Sequence, residues 1–114
     1  MRERLNSVDE LQTYLTGVIN NARDHAPEVE EVIFALVGAL ILEKDSGVPL
    51  QAGTYRGRMA NVLRATIRSE AYVFSYDHDN GQIIIKRGNQ QGPVVGQFSN
   101  RTSIRSIIRI FRNL

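Results

Sequence analysis

The fold class predicted by this sequence is α+β, in the order ααα-βββ-α: three N-terminal helices, a three-stranded antiparallel meander and a C-terminal helix in a single domain, residues 1–114. Three observations predict it. Apolar residues recur at steps of three and four near both ends of the chain. Strand-forming residues cluster between Tyr72 and Phe98. The pair Asn80-Gly81, whose residues both accept positive φ, divides two of those clusters. Helices segregated from a run of strands give α+β architecture rather than alternating α/β.

The first helix starts at Ser7-Val8-Asp9-Glu10, a capping box in which hydroxyl and carboxylate satisfy the free amides of the first turn. Val8, Leu11, Leu15, Val18 and Ala22 then share one face as far as Asp24. Pro27 and the acids Glu28, Glu30 and Glu31 suit the start of a second helix. Its stretch Val32–Leu42 is apolar nearly all round, and Gly47 supplies its stop. Residues 46–57 hold Gly47, Pro49, Gly53 and Gly57 and read as the longest loop. A third helix is expected over Arg58–Ser69, with Met59, Val62, Leu63 and Ile67 inward. Strands follow at Tyr72–Tyr76, Gln82–Arg87 and Pro93–Phe98. The last helix is expected from Ser99 or Asn100, with Ile104, Ile107, Ile108, Phe111 and Leu114 as its stripe.

The 114 residues contain no cysteine, which removes structural disulfides, thiolate metal sites and cysteine nucleophiles. The first residues carry no apolar core of a signal peptide. The longest apolar run is far shorter than the roughly 20 residues needed to span a bilayer. These features lead us to expect a cytoplasmic protein with no membrane partner.

Catalytic chemistry has few footholds, and the expectation is a binding module rather than an enzyme. No G-x-S-x-G occurs. Gly53-Thr54-Tyr55-Arg56-Gly57 lacks the lysine and hydroxyl residue of a phosphate loop. His25 sits at a helix end, where the dipole favours an imidazolium. His78 lies in Asp77-His78-Asp79-Asn80-Gly81, where Asp and Asn form turns in their own right and consecutive side chains diverge too far for a tight metal site. No cofactor and no metal are therefore expected, and no catalytic residue is assigned. An anionic small molecule, if one is bound, would meet Tyr55, Arg56 and Arg58 in the 46–57 loop.

Charge is distributed unevenly. Residues 1–50 carry nine acids against four bases, whereas residues 51–114 carry three acids against ten bases. Arg101, Arg105 and Arg109 recur every four residues on the expected last helix. Arg64 and Arg68 lie on the expected third helix, and Lys86 and Arg87 end a strand. Arginine forks suit phosphates, and Tyr72, Phe74 and Tyr76 alternate onto one strand face, where aromatics can stack unpaired bases. The same bases also fit a solvated surface, or the acidic half of a second subunit. Two partners are thus expected: nucleic acid, or the chain itself as a homodimer or higher oligomer. The apolar second helix, more than a small sheet and three helices cover, favours self-association.

From Arg58 to Arg87 the expected helix, hairpin and third strand resemble the recognition helix and wing of winged-helix proteins. From Arg58 onward the order is similar to that of double-stranded RNA-binding domains, although Ile104, Ile107 and Ile108 stand where those domains carry small residues. Through its size, its single domain and its lack of any family motif, including in Gln82-Ile83-Ile84-Ile85-Lys86-Arg87 and the arginine-striped end, the chain also resembles the small proteins encoded in mobile gene cassettes of bacterial integrons. That last resemblance implies a bacterial accessory protein, often oligomeric.

Overall fold

A computed structural model describes the chain except Met1, Asn6, Arg56 and Gly57, and describes side chains outside residues 1–4, 6 and 54–61. The elements run β1 (Arg2–Leu5), α1 (Val8–His25), a 3₁₀ turn (Pro27–Val29), α2 (Val32–Glu43), β2 (Leu50–Tyr55), β3 (Arg58–Ile67), β4 (Glu70–Asp77), β5 (Gln82–Arg87), β6 (Val94–Phe98) and α3 (Ile104–Arg112). All six strands form one antiparallel sheet in sequence order, β1-β2-β3-β4-β5-β6. The α+β class and the meander of the last three strands agree with the sequence reading. The strand count does not.

The largest correction is at Arg58–Ile67, which is a ten-residue strand and not a helix. Its residues satisfy two periods at once. Met59, Val62, Leu63 and Ile67 fit a helical stripe, but Leu63, Ala65 and Ile67 also alternate with Val62, Arg64 and Thr66. Partners on both edges decide the matter: Leu63 pairs with Ala52 of β2 and with Phe74 of β4. Ladders to β2 and, over Val62–Ile67, to β4 hold β3 extended, and the β-branched residues that weaken a helix suit it. The expected 46–57 loop is shortened by the same pairing, since β2 begins at Leu50. Strand β1 was not anticipated; Leu5 pairs with Leu50 across the edge of the sheet.

The β3–β4 turn carries no glycine or asparagine, yet Arg68 and Ser69 both have positive φ, 49° and 68°. That is the geometry of a tight hairpin turn, adopted here by residues that pay a steric penalty for it. Asp45 compensates. Its carboxylate accepts from the Arg68 amide at 2.7 Å and from the Ser69 amide at 2.8 Å, while its own amide donates to the Thr66 carbonyl at 2.8 Å.

Register puts Leu63, Phe74, Ile85 and Gly96 in one row across the sheet. This row faces the helices, and Ile107 and Phe111 of α3 join it in the core. Gly96 marks the closest approach: a Cβ there would sit 2.9 Å from Ile110 Cγ2. The other face of the sheet carries Arg64, Val73 and Lys86, again as register partners. Val73 is only 3% exposed although it lies outside the main core. Arg64 and Lys86 flank it, and long basic stems cover apolar surface in this way.

Helices α2 and α3 lie side by side and run in the same direction, because side chains tie both pairs of ends. At the starts, Asn100 Oδ1 accepts from the Glu31 and Val32 amides, each at 2.9 Å, and Asn100 Nδ2 donates to the Pro27 carbonyl at 2.8 Å. This remote side chain does for α2 what a local cap does for most helices. At the other ends, the Arg68 guanidinium donates to the Phe111 and Leu114 carbonyls and pairs with Glu43 at 3.3 Å. Helix α1 keeps its expected local cap, with Ser7 Oγ accepting from the Glu10 amide at 3.1 Å. Val8, expected on its inner face, is exposed. The α3 cap is Ser103, not Ser99 or Asn100, so α3 is shorter than expected.

Candidate functional site

Helix α2 buries Ile33, Leu36 and Leu40 against the sheet and α1. At 100° per residue, Phe34, Gly38 and Ile41 point the opposite way, with Leu42 beside them. Phe34 is 65% exposed and Leu42 82%, and on the neighbouring α3 Ile104 is 68% exposed. Ile41 and Ile108 are exposed as well. Single exposed apolar side chains are ordinary, but large ones on two helices packed against each other form a patch, and patches mark interaction surfaces.

The basic residues do not gather into one surface. Arg105 and Arg109 are exposed on α3, on the helix side of the sheet. Arg101 precedes the helix, so the expected three-residue stripe is reduced to two, continued by Arg112 near the C-terminus. Arg64 and Lys86 lie on the opposite face of the sheet, where Lys86 Nζ donates to the Gln90 carbonyl at 2.9 Å. Arg87 is exposed at the end of β5. Arg68 is engaged in the clamp between α2 and α3. Among the described residues the ion pairs are Arg23–Glu30 and Arg68–Glu43, and Arg105, Arg109 and Arg112 have no acidic partner among those residues. Tyr72 and Phe74 of the aromatic row are core residues at 2% and 5% exposure, closed to base stacking.

The proposed anion loop turns out to be the β2–β3 hairpin, where Tyr55 and Arg58 are register partners. Arg56 lies outside the described residues, as do the side chains of Tyr55 and Arg58. His78 packs edge-on to Tyr76, ring centroids 4.7 Å apart, beside the expected turn with Gly81 at φ 63°. Asp77 accepts from the Asn80 side chain at 2.6 Å and from the Asp79 amide at 3.0 Å. These hydrogen bonds, Asn80's foremost, hold its carboxyl below the usual carboxylate range. A cavity of about 100 Å³ opens between α1, α2 and the sheet. Tyr14, Ile33, Leu36 and Phe74 line its interior, and His25 and His78 also contribute to its wall.

Residues 11–109, spanning nearly all of α1 through most of α3, match the family model described as Integron cassette protein VCH_CASS1 chain. The chain belongs to this integron cassette protein family. Among curated proteins none matches it. Membership agrees with the resemblance to cassette-encoded proteins seen in the sequence. The winged-helix and double-stranded-RNA-binding resemblances lapse, because both needed a helix where this cassette protein has β3. No helix among its described residues is long and apolar enough to cross a membrane. The sequence reading of this cassette protein missed Tyr14, which falls three residues after Leu11 and four before Val18 and so borders the apolar stripe of α1. Its position on the helical wheel was the available signal.

Proposed function

We propose that this cassette protein is a non-catalytic interaction module that works as a twofold homodimer, docking through the outer face of α2 and α3. The observation that carries this reading is the exposure of Phe34, Ile41 and Leu42 on a helix whose other faces are already packed. A twofold contact presents the same patch twice, so each exposed side chain contributes once from each copy. Complete burial of an aliphatic or aromatic side chain is worth about 1.5–3 kcal/mol, against an association cost of about 4–15 kcal/mol. Phe34, Ile41, Leu42, Ile104 and Ile108, partly exposed in each copy, offer a gain of the same order as that cost. Charge supports a second copy as the occupant. With the two α2 helices antiparallel, Glu31 at the start of one approaches the end of the other, where Arg109 and Arg112 have no acidic partner among the described residues.

Sedimentation equilibrium at tens of micromolar is expected to give twice the 12.8 kDa chain mass. Phe34→Glu combined with Leu42→Glu is expected to return the monomer with an unchanged far-ultraviolet spectrum. A wild-type monomer at that concentration rejects the reading.

A second reading, nucleic-acid binding through phosphates, rests on Arg105 and Arg109. Alanine at both positions distinguishes the two. Weaker retention of duplex and single-stranded probes, with a salt slope reduced by about one unit per lost contact, supports phosphate binding. A weaker dimer with no change in retention supports the subunit contact.

A further inference from the structure

We propose that the cavity between α1, α2 and the sheet binds a small, neutral, largely apolar molecule carrying one hydrogen-bond acceptor, which Tyr14 meets with its phenol. The site is independent of the dimer face. Ile33, Leu36 and Leu40 turn towards the cavity, whereas Phe34, Ile41 and Leu42 turn away from it.

Three features point to a ligand of this kind. The first is size: the volume is about 100 Å³, and an apolar cavity of about 150 Å³ accommodates benzene. The volume is smaller than that reference but the cavity opens to solvent, so one six-membered ring, seated with part of it at the mouth, is the largest occupant. The second is charge. Among the described residues that line the cavity there is no lysine, arginine, aspartate or glutamate. The histidines of the wall, His25 and His78, are exposed, so an ion seated beside Ile33, Leu36 and Phe74 would lose its water without a buried charged partner, and a neutral ligand is favoured.

The third is Tyr14 itself. It is 5% exposed and forms part of the cavity wall, and no hydrogen bond reaches its hydroxyl from the described residues. Among those residues no fully enclosed polar side-chain atom lacks a partner. The Tyr14 oxygen therefore retains accessible surface, and its side chain is part of the cavity wall. An accessible phenol is a free donor for a ligand acceptor, and a leucine or phenylalanine would fill the wall without offering one. Burial pushes the Tyr14 pKa up to about 12, so the phenol keeps its proton at neutral pH and serves as a donor. An acceptor such as a ketone or ether oxygen complements it.

Cyclohexanone and methylcyclohexane, near-isosteres with and without the acceptor, are the probes. In amide-resolved NMR titrations of the full chain, cyclohexanone is expected to give saturable shifts centred on Tyr14, Ala22, Ile33 and Phe74 at millimolar concentration, and methylcyclohexane is expected to bind more weakly. Tyr14→Phe, which keeps the ring, is expected to weaken cyclohexanone about three- to ten-fold and leave methylcyclohexane unchanged. Val18→Phe, which puts a ring into the cavity, is expected to abolish both while keeping a dispersed spectrum. Absence of saturable shifts with either probe overturns the proposal, as does an equal response of both probes to Tyr14→Phe. The Phe34→Glu, Leu42→Glu variant is expected to retain cyclohexanone binding, so failure of the dimer and failure of the cavity site are distinguishable.

Discussion

Phe111→Ala is expected to cost about 3–5 kcal/mol, the range for deleting a buried aromatic ring. Phe111 is 1% exposed and stacks between Phe74 at 5.9 Å and Phe98 at 6.0 Å, so one ring joins α3 to two non-adjacent strands. The neighbours cannot close the gap, because Phe98 and Ile85 are themselves fully enclosed and belong to the sheet. Domains of this size have about 5–15 kcal/mol of stability in all. Each kcal/mol is worth about 4–8 °C in a domain of 60–100 residues, so the melting temperature is expected to fall by about 12 °C or more. Thermal and denaturant unfolding followed by circular dichroism measure this. Arg87→Ala, at an exposed position at the end of β5 and away from the proposed dimer face, is the control and is expected to stay within about 0.5 kcal/mol of wild type. Similar losses for the two variants would show that α3 is not held through Phe111.

Asp45→Ala is expected to be the next most damaging change, at about 2–3 kcal/mol. It removes two hydrogen bonds from a carboxylate, of a type worth about 1.5–3 kcal/mol each, with water recovering part of the loss at this half-exposed site. It also releases a turn held in a left-handed conformation by Arg68 and Ser69. Ser69→Gly separates those contributions. Glycine removes the steric penalty of about 1–2 kcal/mol and returns part of it as unfolded-chain entropy, so Ser69→Gly alone is expected to stabilise by about 0.5–1 kcal/mol. In the Ser69→Gly background the Asp45→Ala loss is expected to shrink. A double-mutant cycle by urea unfolding measures the coupling, and strictly additive losses would mean that Asp45 does not support the turn.

The elements legible in the sequence are those with local instructions. Ser7 and Glu10 announce α1, Pro27 and the apolar run announce α2, Asn80-Gly81 sets the β4–β5 turn, and the isoleucine stripe marks α3. The elements that were not legible depend on residues far away in the chain. Strand β3 has a helix-compatible stripe, and only β2 and β4 beside it select the extended form. Its turn lacks Asn and Gly because Asp45, more than twenty residues earlier, supplies the stabilisation. The candidate site divides in the same way. Excess apolar surface on α2 could be read from composition, since a helix apolar all round exceeds what a small domain covers. Scattering of the bases could not, because strand register sends Arg64 and Lys86 to one side of the sheet and helix packing leaves Arg105 and Arg109 on the other. Tyr14 looked like a border residue of an amphipathic helix, and only the void beside it gives its hydroxyl meaning.

The Asn100 contact carries a consequence for how the chain is made. The amides at the start of α2 and the side chain that caps them are separated by nearly seventy positions. Translation proceeds at about 5–20 residues per second, so the most apolar helix of the protein spends several seconds at the ribosome without its cap and without α3 alongside. During that interval Val32–Leu42 presents both its future core and its outer face to solvent. Biosynthesis, rather than the finished fold, is where this segment is most exposed to premature contact with another nascent copy of itself.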